Sequence, residues 1–429
     1  MTTTLRDDKA LGVPSVDAIR RHFPALERTH GAHRVAYFDG PGGTQVPREV
    51  VNAMADYLFN HNANTHWLYP TSAETDAAIE QARLTIADFF GAAPNEISFG
   101  LNMTTLTYHV SRAVAPRLER GDTVVVTELD HHANIAPWTR LASERGVIIR
   151  WVRMNPETGT HDWDDLERAI TAGTKLVAIG AASNALGTIT DVRAVCAMAR
   201  AVGALTFVDA VHFAPHAVID VEEIGCDFLA CSAYKFYGPH IGILYTRESL
   251  GSELDAPKLE PAPSAMPERL ETGTQNHEGI VGAAAAIDFM AFLGIGATRR
   301  ERLVSAYHEL HARSDALFRV LWDGIGEIPG IQRYGLPPGA PRTPTLSFSV
   351  QGMHSDDVAR ALAAEGVYVS NGDFYAATVI ERIGHAHDGV VRAGAAIYTT
   401  RDEVVRLLTA LPDIVRRGAR SAGSGGGAS

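Results

Sequence analysis

The chain has 429 residues, 46% of them apolar and 21% charged, with a formal net charge of −12 at pH 7. That length suffices for two hydrophobic cores, and the acidic balance argues against an electrostatic grip on nucleic acid or an anionic membrane. No run of about 18 apolar residues is present, the start (Met1 to Lys9) lacks the apolar stretch of a secretory signal, and Cys196, Cys226 and Cys231 give neither a disulfide framework nor a paired zinc spacing, so a cytoplasmic, reducing compartment is expected.

In chain order, residues 1–30 read as an N-terminal arm or helix. Residues 31–296 read as a large α/β domain. Short apolar runs at 123–127, 147–152, 176–180, 204–208 and 228–230 alternate with amphipathic stretches such as 163–171 and 192–202. Strand then helix at this spacing predicts βαβ units and a mostly parallel sheet, and runs apolar throughout predict strands covered on both faces. From 297 to 420 the pattern changes to a smaller α+β domain. It has a long helix at 299–322, strands at 345–350, 367–370 and 390–393, and helices at 355–365 and 401–417. Residues 421–429 are only Gly, Ser and Ala and are expected to be disordered.

Ligands of open α/β sheets sit beyond the carboxyl ends of the strands. Four strands are followed there by polar, titratable groups: Glu128-Leu129-Asp130-His131-His132-Ala133-Asn134, Ala182-Ser183-Asn184-Ala185-Leu186-Gly187-Thr188, Asp209-Ala210-Val211-His212 and Ser232-Ala233-Tyr234-Lys235. Each has a plainer reading. Asp209 can cap a helix, Asn184 and Gly187 can form a turn, and Asn102-Met103-Thr104-Thr105 can cap the next helix or seat a phosphate on free N–H groups. His131 and His132 are adjacent and lack a partner three or four residues on, so no metal is expected. No strand-linked Gly-x-Gly-x-x-Gly and no phosphate-loop lysine occur.

The chain has four lysines, and one of them, Lys235, follows an apolar strand among aromatic residues, ahead of Gly238-Pro239. Such a lysine either lays its stem on apolar surface or has a depressed pKa suited to Schiff-base chemistry. A lysine, a strand-end aspartate, a stacking ring and a phosphate cradle are together what pyridoxal 5'-phosphate requires.

From about Tyr37 to Leu411 the chain resembles the class V aminotransferase branch of fold-type I pyridoxal-phosphate enzymes, in particular the cysteine desulfurase and selenocysteine lyase group. The resemblance rests on Asp130 to Asn134 followed by Pro137-Trp138, on Ser183 to Thr188, on Val208-Asp209-Ala210, on Ser232 to Gly242, on Glu271-Thr272-Gly273-Thr274-Gln275-Asn276, and on Arg392. It implies that Lys235 is the Schiff-base lysine and proton shuttle, that Asp209 pairs with the pyridine nitrogen, and that His131 stacks on the ring. It further implies that Thr104, Thr105 and Ser232 bind the phosphate and that Thr274 reaches a phosphate across a homodimer interface. Asn184 and Arg392 would hold the carboxylate of an amino-acid substrate, with His66 nearby. His212 stands where the group usually carries glutamine beside the phenolic oxygen, and Tyr234 replaces the usual histidine before the lysine.

One departure bears on the reaction. In the segment Ser370-Asn371-Gly372-Asp373-Phe374-Tyr375-Ala376, Tyr375 stands where desulfurases carry their cysteine nucleophile. Cys196 lies in a helical pattern and Cys226 and Cys231 flank a strand, so all three read as structural. Trp67 and Ser370 replace two arginines common among the relatives, which suggests a less cationic pocket. The segment 376–389, with His385 and His387, reads either as a cover for the pocket or as a surface helix. The expected activity is a lyase breaking a bond at the substrate Cβ (C–S lysis, β-elimination or β-decarboxylation) without a persulfide. The alternatives are a Cα epimerase or racemase with Tyr375 as second acid, an aminotransferase, a carbon–carbon bond-forming enzyme of secondary metabolism, and an inactive scaffold.

Overall fold

The computed structural model describes residues 12–424. Seven strands form the principal sheet: β1 (Ile97–Gly100), β2 (Thr123–Thr127), β3 (Ile148–Val152), β4 (Thr174–Gly180), β5 (Leu205–Asp209), β6 (Phe228–Ser232) and β7 (Gly242–Thr246), in the order β1-β7-β6-β5-β4-β2-β3. Only β7 runs against the other six. The alternation of side chains along each strand feeds two cores. Val125, Val177, Val208 and Leu229 enter one, while Val124, Leu176, Phe207 and Phe228 enter the other. Helices Pro70–Phe90, Val192–Ala201 and His277–Leu293 cover the first face, and Met103–Val114 and Ala136–Arg145 the second.

A second, antiparallel sheet holds β8 (Ile331–Tyr334), β9 (Thr345–Val350), β10 (Ser370–Gly372) and β11 (Val390–Gly394), in the order β8-β9-β11-β10. Helix Arg299–Gly326 joins the two bodies. Leu303, Ala306, Tyr307 and Leu310 pack in the main core, and Phe318, Leu321 and Ile325 in the smaller one. The expected division near 297 thus falls just before a helix that belongs to both. Ala36 and Phe38 also pack in the smaller core, because Ala36–Tyr37 pairs with Val367–Tyr368.

Several expected elements differ from those observed. The run 147–152 begins one residue later because Gly146 ends the preceding helix with φ 71° and the Val147 N–H donates to the Ala142 carbonyl. β3 is not covered on both faces, since it is the sheet edge and exposes Ile148 and Trp151. The run 367–370 is two strands that part at Val369 to join different sheets. Cys231 lies inside β6 rather than beside it. The final helix, Arg401–Ser424, continues into the segment expected to be a disordered tail, of which residues 425–429 lie outside the described residues, as do residues 1–11 of the expected arm.

Strands β1 and β7 escaped the sequence reading, and β7 brings the site together. A Cβ on Gly242 would lie 2.5 Å from the carbonyl carbon of Asn102. Glycine there lets β7 meet the start of helix Met103–Val114 closely.

Candidate active site

The carboxyl ends of β2, β4, β5 and β6 open on one cavity of about 560 Å³. Among its lining residues are Thr104, Thr105, His131, Asn184, Asp209, His212, Ser232, Tyr234 and Lys235. Chain stretches more than 100 residues apart therefore converge because each follows a neighbouring parallel strand.

Lys235 ends a short turn after β6 and is buried. Its Nζ donates to the carbonyl oxygens of Pro41 (2.5 Å) and Gly42 (3.0 Å) and lies 5.1 Å from the centre of the Tyr234 ring. Burial, with Arg392 nearby, brings its pKa down to about 7. Asp209 closes β5, and its Oδ1 accepts from the Val211 N–H at 2.9 Å. This is a local turn, not a helix cap. Burial pushes its pKa up to about 6, against the pull of the Val211 N–H and Lys235.

Asp130 is a second buried carboxyl. It accepts from the Gly180 N–H (2.7 Å) and the Asn134 amide (3.1 Å), and burial together with Asp209 holds its pKa well above the usual range. A Cβ on Gly180 would lie 2.5 Å from Asp130 Oδ1, so this contact requires glycine. Sequence reading missed Asp130 as a site residue, although its position beside His131 was a usable signal. His131 accepts from the Ala133 N–H through Nδ1 (2.9 Å), and burial lowers its pKa to about 4, leaving a neutral ring.

Asn102 caps helix Met103–Val114 by accepting from the Thr105 N–H at 2.9 Å, and the Asn102 N–H donates to the Thr105 hydroxyl at 3.2 Å. Ser232 Oγ accepts from the Met103 N–H at 3.0 Å. The capping reading therefore holds, and the same helix end, with Thr104 beside it, faces the cavity. Tyr234 stacks on His240 with ring centres 4.8 Å apart.

Arg392, on β11, is buried and lies outside the cavity lining. It donates to the Asn184 carbonyl oxygen (2.8 Å) and to Ser370 Oγ (3.3 Å), with its guanidinium 4.1 Å from the Phe374 ring centre. Its Nε has no hydrogen-bond partner among the described residues, and burial lowers its pKa to about 9. The Asn184 amide nitrogen donates to the Phe374 carbonyl at 2.9 Å, and its buried Oδ1 has no hydrogen-bond partner among the described residues. Asp39, also missed from sequence, carries a buried Oδ1 without a hydrogen-bond partner among the described residues and sits within the fields of Arg392 and Lys235.

Tyr375 stands at the mouth, 75% exposed, with φ 55° after Phe374 at φ 57°. Its carbonyl accepts from the His132 N–H (2.8 Å), and its ring centre lies 5.8 Å from that of His131. The segment after it is no free surface helix. Val379 and Ile380 of helix Ala377–Arg382 pack with Leu129, Ala185 and Leu186, and Arg382 pairs with Glu128 at 3.1 Å. None of it lines the cavity; the His385 ring contacts Tyr334 and Asp388, and the main-chain carbonyl of His387 lies 3.2 Å from His354 Nε2.

His66 and Thr274 are not brought to Lys235. They line a separate cleft of about 680 Å³, where His66 has φ 67° and pairs with Asp76 at 3.2 Å.

The family model for aminotransferase class-V matches residues 36–407. The chain belongs to the class-V aminotransferase family. A probable cysteine desulfurase 2 of Mycobacterium leprae is 33% identical over 413 residues, covering 92% of this chain and 95% of that one. A cysteine desulfurase of Haloferax volcanii is 32% identical over 425 residues, covering 92% and 96%. The apo structure of a cysteine desulfurase from Thermococcus onnurineus superposes with TM-score 0.85 at 30% identity, covering 95% of this chain and 99% of that one. As a class-V aminotransferase with this fold, the chain is a pyridoxal-phosphate-dependent enzyme acting on an amino acid. Among the described residues, no helix is long and apolar enough to cross a membrane.

The residues present fit that cofactor. A buried amine and a buried carboxylate face one cavity, a capped helix of 12 residues presents its N-terminus to it, and His212 Nδ1 and Asn184 Oδ1 are buried there without hydrogen-bond partners among the described residues. Unpaired buried polar atoms lining a cavity are what a polar ligand satisfies.

Proposed function

We propose that the enzyme breaks a bond at the substrate Cβ, as in C–S lysis or β-elimination, without passing sulfur to a protein thiol. The observation that carries this reading is the place of the three cysteines. Cys196, Cys226 and Cys231 are buried, none lines the cavity, and burial raises all three thiols, Cys196 to about 11. A persulfide route needs an accessible thiolate at the mouth, and Tyr375 occupies that place.

In this reading the cofactor supplies an electron sink for the pair left at Cα when a proton departs. Lys235 would hold the cofactor covalently until the substrate's amino group displaces it, and the amine so freed, titrating near 7 in the empty cavity, would take that proton. Asp209 would pair with the ring nitrogen, whose positive charge would oppose the desolvation that raises the carboxyl to about 6. The His131 ring, kept neutral, would stack on the cofactor. Thr104, Thr105 and Ser232 line the phosphate end, where the helix N-terminus favours an anion. Arg392 lies behind the lining of the cavity and would reach the substrate carboxylate only with a rearrangement that uncovers its Nε, which has no hydrogen-bond partner among the described residues. Asn184, whose amide nitrogen is engaged by Phe374, anchors Arg392 through its main-chain carbonyl and so acts on the substrate indirectly. The Cβ–X bond breaks with its electron pair leaving on X, and water then releases pyruvate and ammonia.

We further propose a homodimer. Phe59, Trp67, Leu68 and Tyr69 form an exposed apolar run beside the cleft that holds His66 and Thr274. In a dimer that cleft can serve the partner's phosphate end.

The test is a panel of β-substituted amino acids. Pyruvate and ammonia from at least one of them, with no protein-bound persulfide after incubation with cysteine, are expected. A persulfide on any cysteine overturns the thiol-free route.

A further inference from the structure

Asn184, Ser370, Gly42 and Phe374 pack on the Arg392 guanidinium. Nη1 donates to the Asn184 carbonyl at 2.8 Å and Nη2 to Ser370 Oγ at 3.3 Å. Gly42 lies so near that a Cβ on it would be 3.5 Å from Nη2. The Phe374 ring centre is 4.1 Å from Cζ. These contacts bury a cation that pairs with no carboxylate among the described residues. For a substrate carboxylate to reach Arg392, one of them must give way.

The first three are held in place. Ser370 stands directly opposite Arg392 in the β10–β11 register, so it moves only with its strand. Asn184 belongs to a buried turn in which the Ser183 N–H donates to the Thr188 carbonyl and the Gly187 N–H to the Ser183 carbonyl, both at 2.9 Å. The Gly42 carbonyl accepts from Lys235 Nζ, and the Gly42 N–H donates to the Asp39 carbonyl at 2.7 Å. Phe374 differs. It is half-buried, and it and Tyr375 have φ 57° and 55°, the left-handed region that side chains of this size rarely adopt. Two such residues in succession cost stability that other contacts must offset. Bonds from the Asn184 amide to the Phe374 carbonyl (2.9 Å), from the His132 N–H to the Tyr375 carbonyl (2.8 Å) and from the Tyr375 N–H to Asp373 Oδ1 (2.9 Å) fasten the turn.

We propose that Phe374 is a specificity-determining plug: its ring is the internal ligand of the Arg392 cation, and its strained turn carries it aside when the carboxylate of an amino-acid substrate takes the guanidinium. The exchange rests on Arg392 as the carboxylate's partner, as proposed above; the strained turn does not. An aromatic face attracts a cation through its quadrupole, whereas a carboxylate offers a full charge and a pair of N–H bonds, so the carboxylate wins the exchange. A ligand without a carboxylate offers Arg392 nothing and leaves the ring in place. Displacing the turn therefore weakens the binding of carboxylate ligands alone, by the fraction of molecules in which Arg392 is uncovered.

Titration of the holoenzyme with L-alanine, which has the carboxylate but no leaving group at Cβ, and with ethylamine, which lacks the carboxylate, reads this through the visible absorbance. Phe374→Ala should bind L-alanine about 10-fold more tightly than wild type, the scale of one desolvated cation–π contact, and ethylamine equally. Phe374→Tyr, which keeps the ring, should match wild type. Phe374→Gly removes the ring but also eases the left-handed backbone, so its affinity for L-alanine should fall between those of wild type and Phe374→Ala. Unchanged or weaker L-alanine binding by Phe374→Ala overturns the plug.

Hydrogen exchange needs no variant. L-alanine should speed exchange at the Tyr375 and His132 amides, whose bonds belong to the turn, and ethylamine should not. Unchanged exchange with L-alanine overturns the movement. If Arg392→Gln weakens L-alanine and ethylamine alike, Arg392 is not the carboxylate's partner and the plug falls with that reading. If Arg392→Gln weakens L-alanine alone while Phe374→Ala does not tighten it, only the plug fails.

Discussion

The Nζ of Lys235 donates a 2.5 Å hydrogen bond to the carbonyl oxygen of Pro41, a residue 194 positions earlier in the chain. With the Gly42 carbonyl at 3.0 Å, the loop holds the amine in the cavity before any cofactor arrives. An ammonium donates to such carbonyls more strongly than a neutral amine does. Burial works the other way and brings the group down to about 7.

Capture of pyridoxal phosphate by the apo protein needs the neutral amine. Its rate should therefore rise with pH, roughly tenfold between pH 6 and pH 8, and level off above. Stopped-flow absorbance reads this directly. A flat profile over that range contradicts a titration near 7.

Asp209→Asn keeps the shape and removes the charge. Loss of a buried charged partner of this kind is worth about 3–5 kcal/mol, so turnover should fall roughly 100- to 5000-fold. The Val211 N–H contact of the native carboxylate can be kept by the amide oxygen, so the fold should persist. Steady-state rates on whichever substrate gives pyruvate check this, with circular dichroism as the folding control.

Arg392→Gln should raise KM for the amino acid by about 10²-fold, the scale of a lost buried charge pair. An amine analogue lacking the carboxylate should bind wild type and variant alike. If both ligands weaken equally, Arg392 serves the fold through Asn184 and Ser370 rather than the substrate.

Gly242→Ala tests how the helix end is positioned. The new Cβ would lie 2.5 Å from Asn102 backbone, and overpacking of this kind costs about 1–3 kcal/mol. Urea denaturation should show that loss, and the affinity for pyridoxal phosphate should fall with it. Unchanged affinity would separate the helix end from phosphate binding.

Much of the site was legible because it follows parallel strands. Asp209, Lys235, Asn184 and His131 each stand just beyond an apolar run, and a sheet gathers such positions without further information. What pairs with them was not legible. Thr343 and Thr345 lie 131 and 133 residues from His212, and Pro41 approaches Lys235 through a backbone oxygen that has no residue-type signal. Strands β1 and β7 were missed because each is short and carries a glycine at one end, which reads as a turn. The cleft with His66 and Thr274 shows a different limit, since nothing in the residue types at those two positions tells which cavity of the fold they line.

The central claim is that Lys235 carries the cofactor. Borohydride reduction of the holoenzyme followed by peptide mass spectrometry tests it most directly. The account predicts the reduced pyridoxyl phosphate on Lys235 and an inactive Lys235→Ala variant. A label on any other residue, or undiminished turnover by that variant, would contradict it.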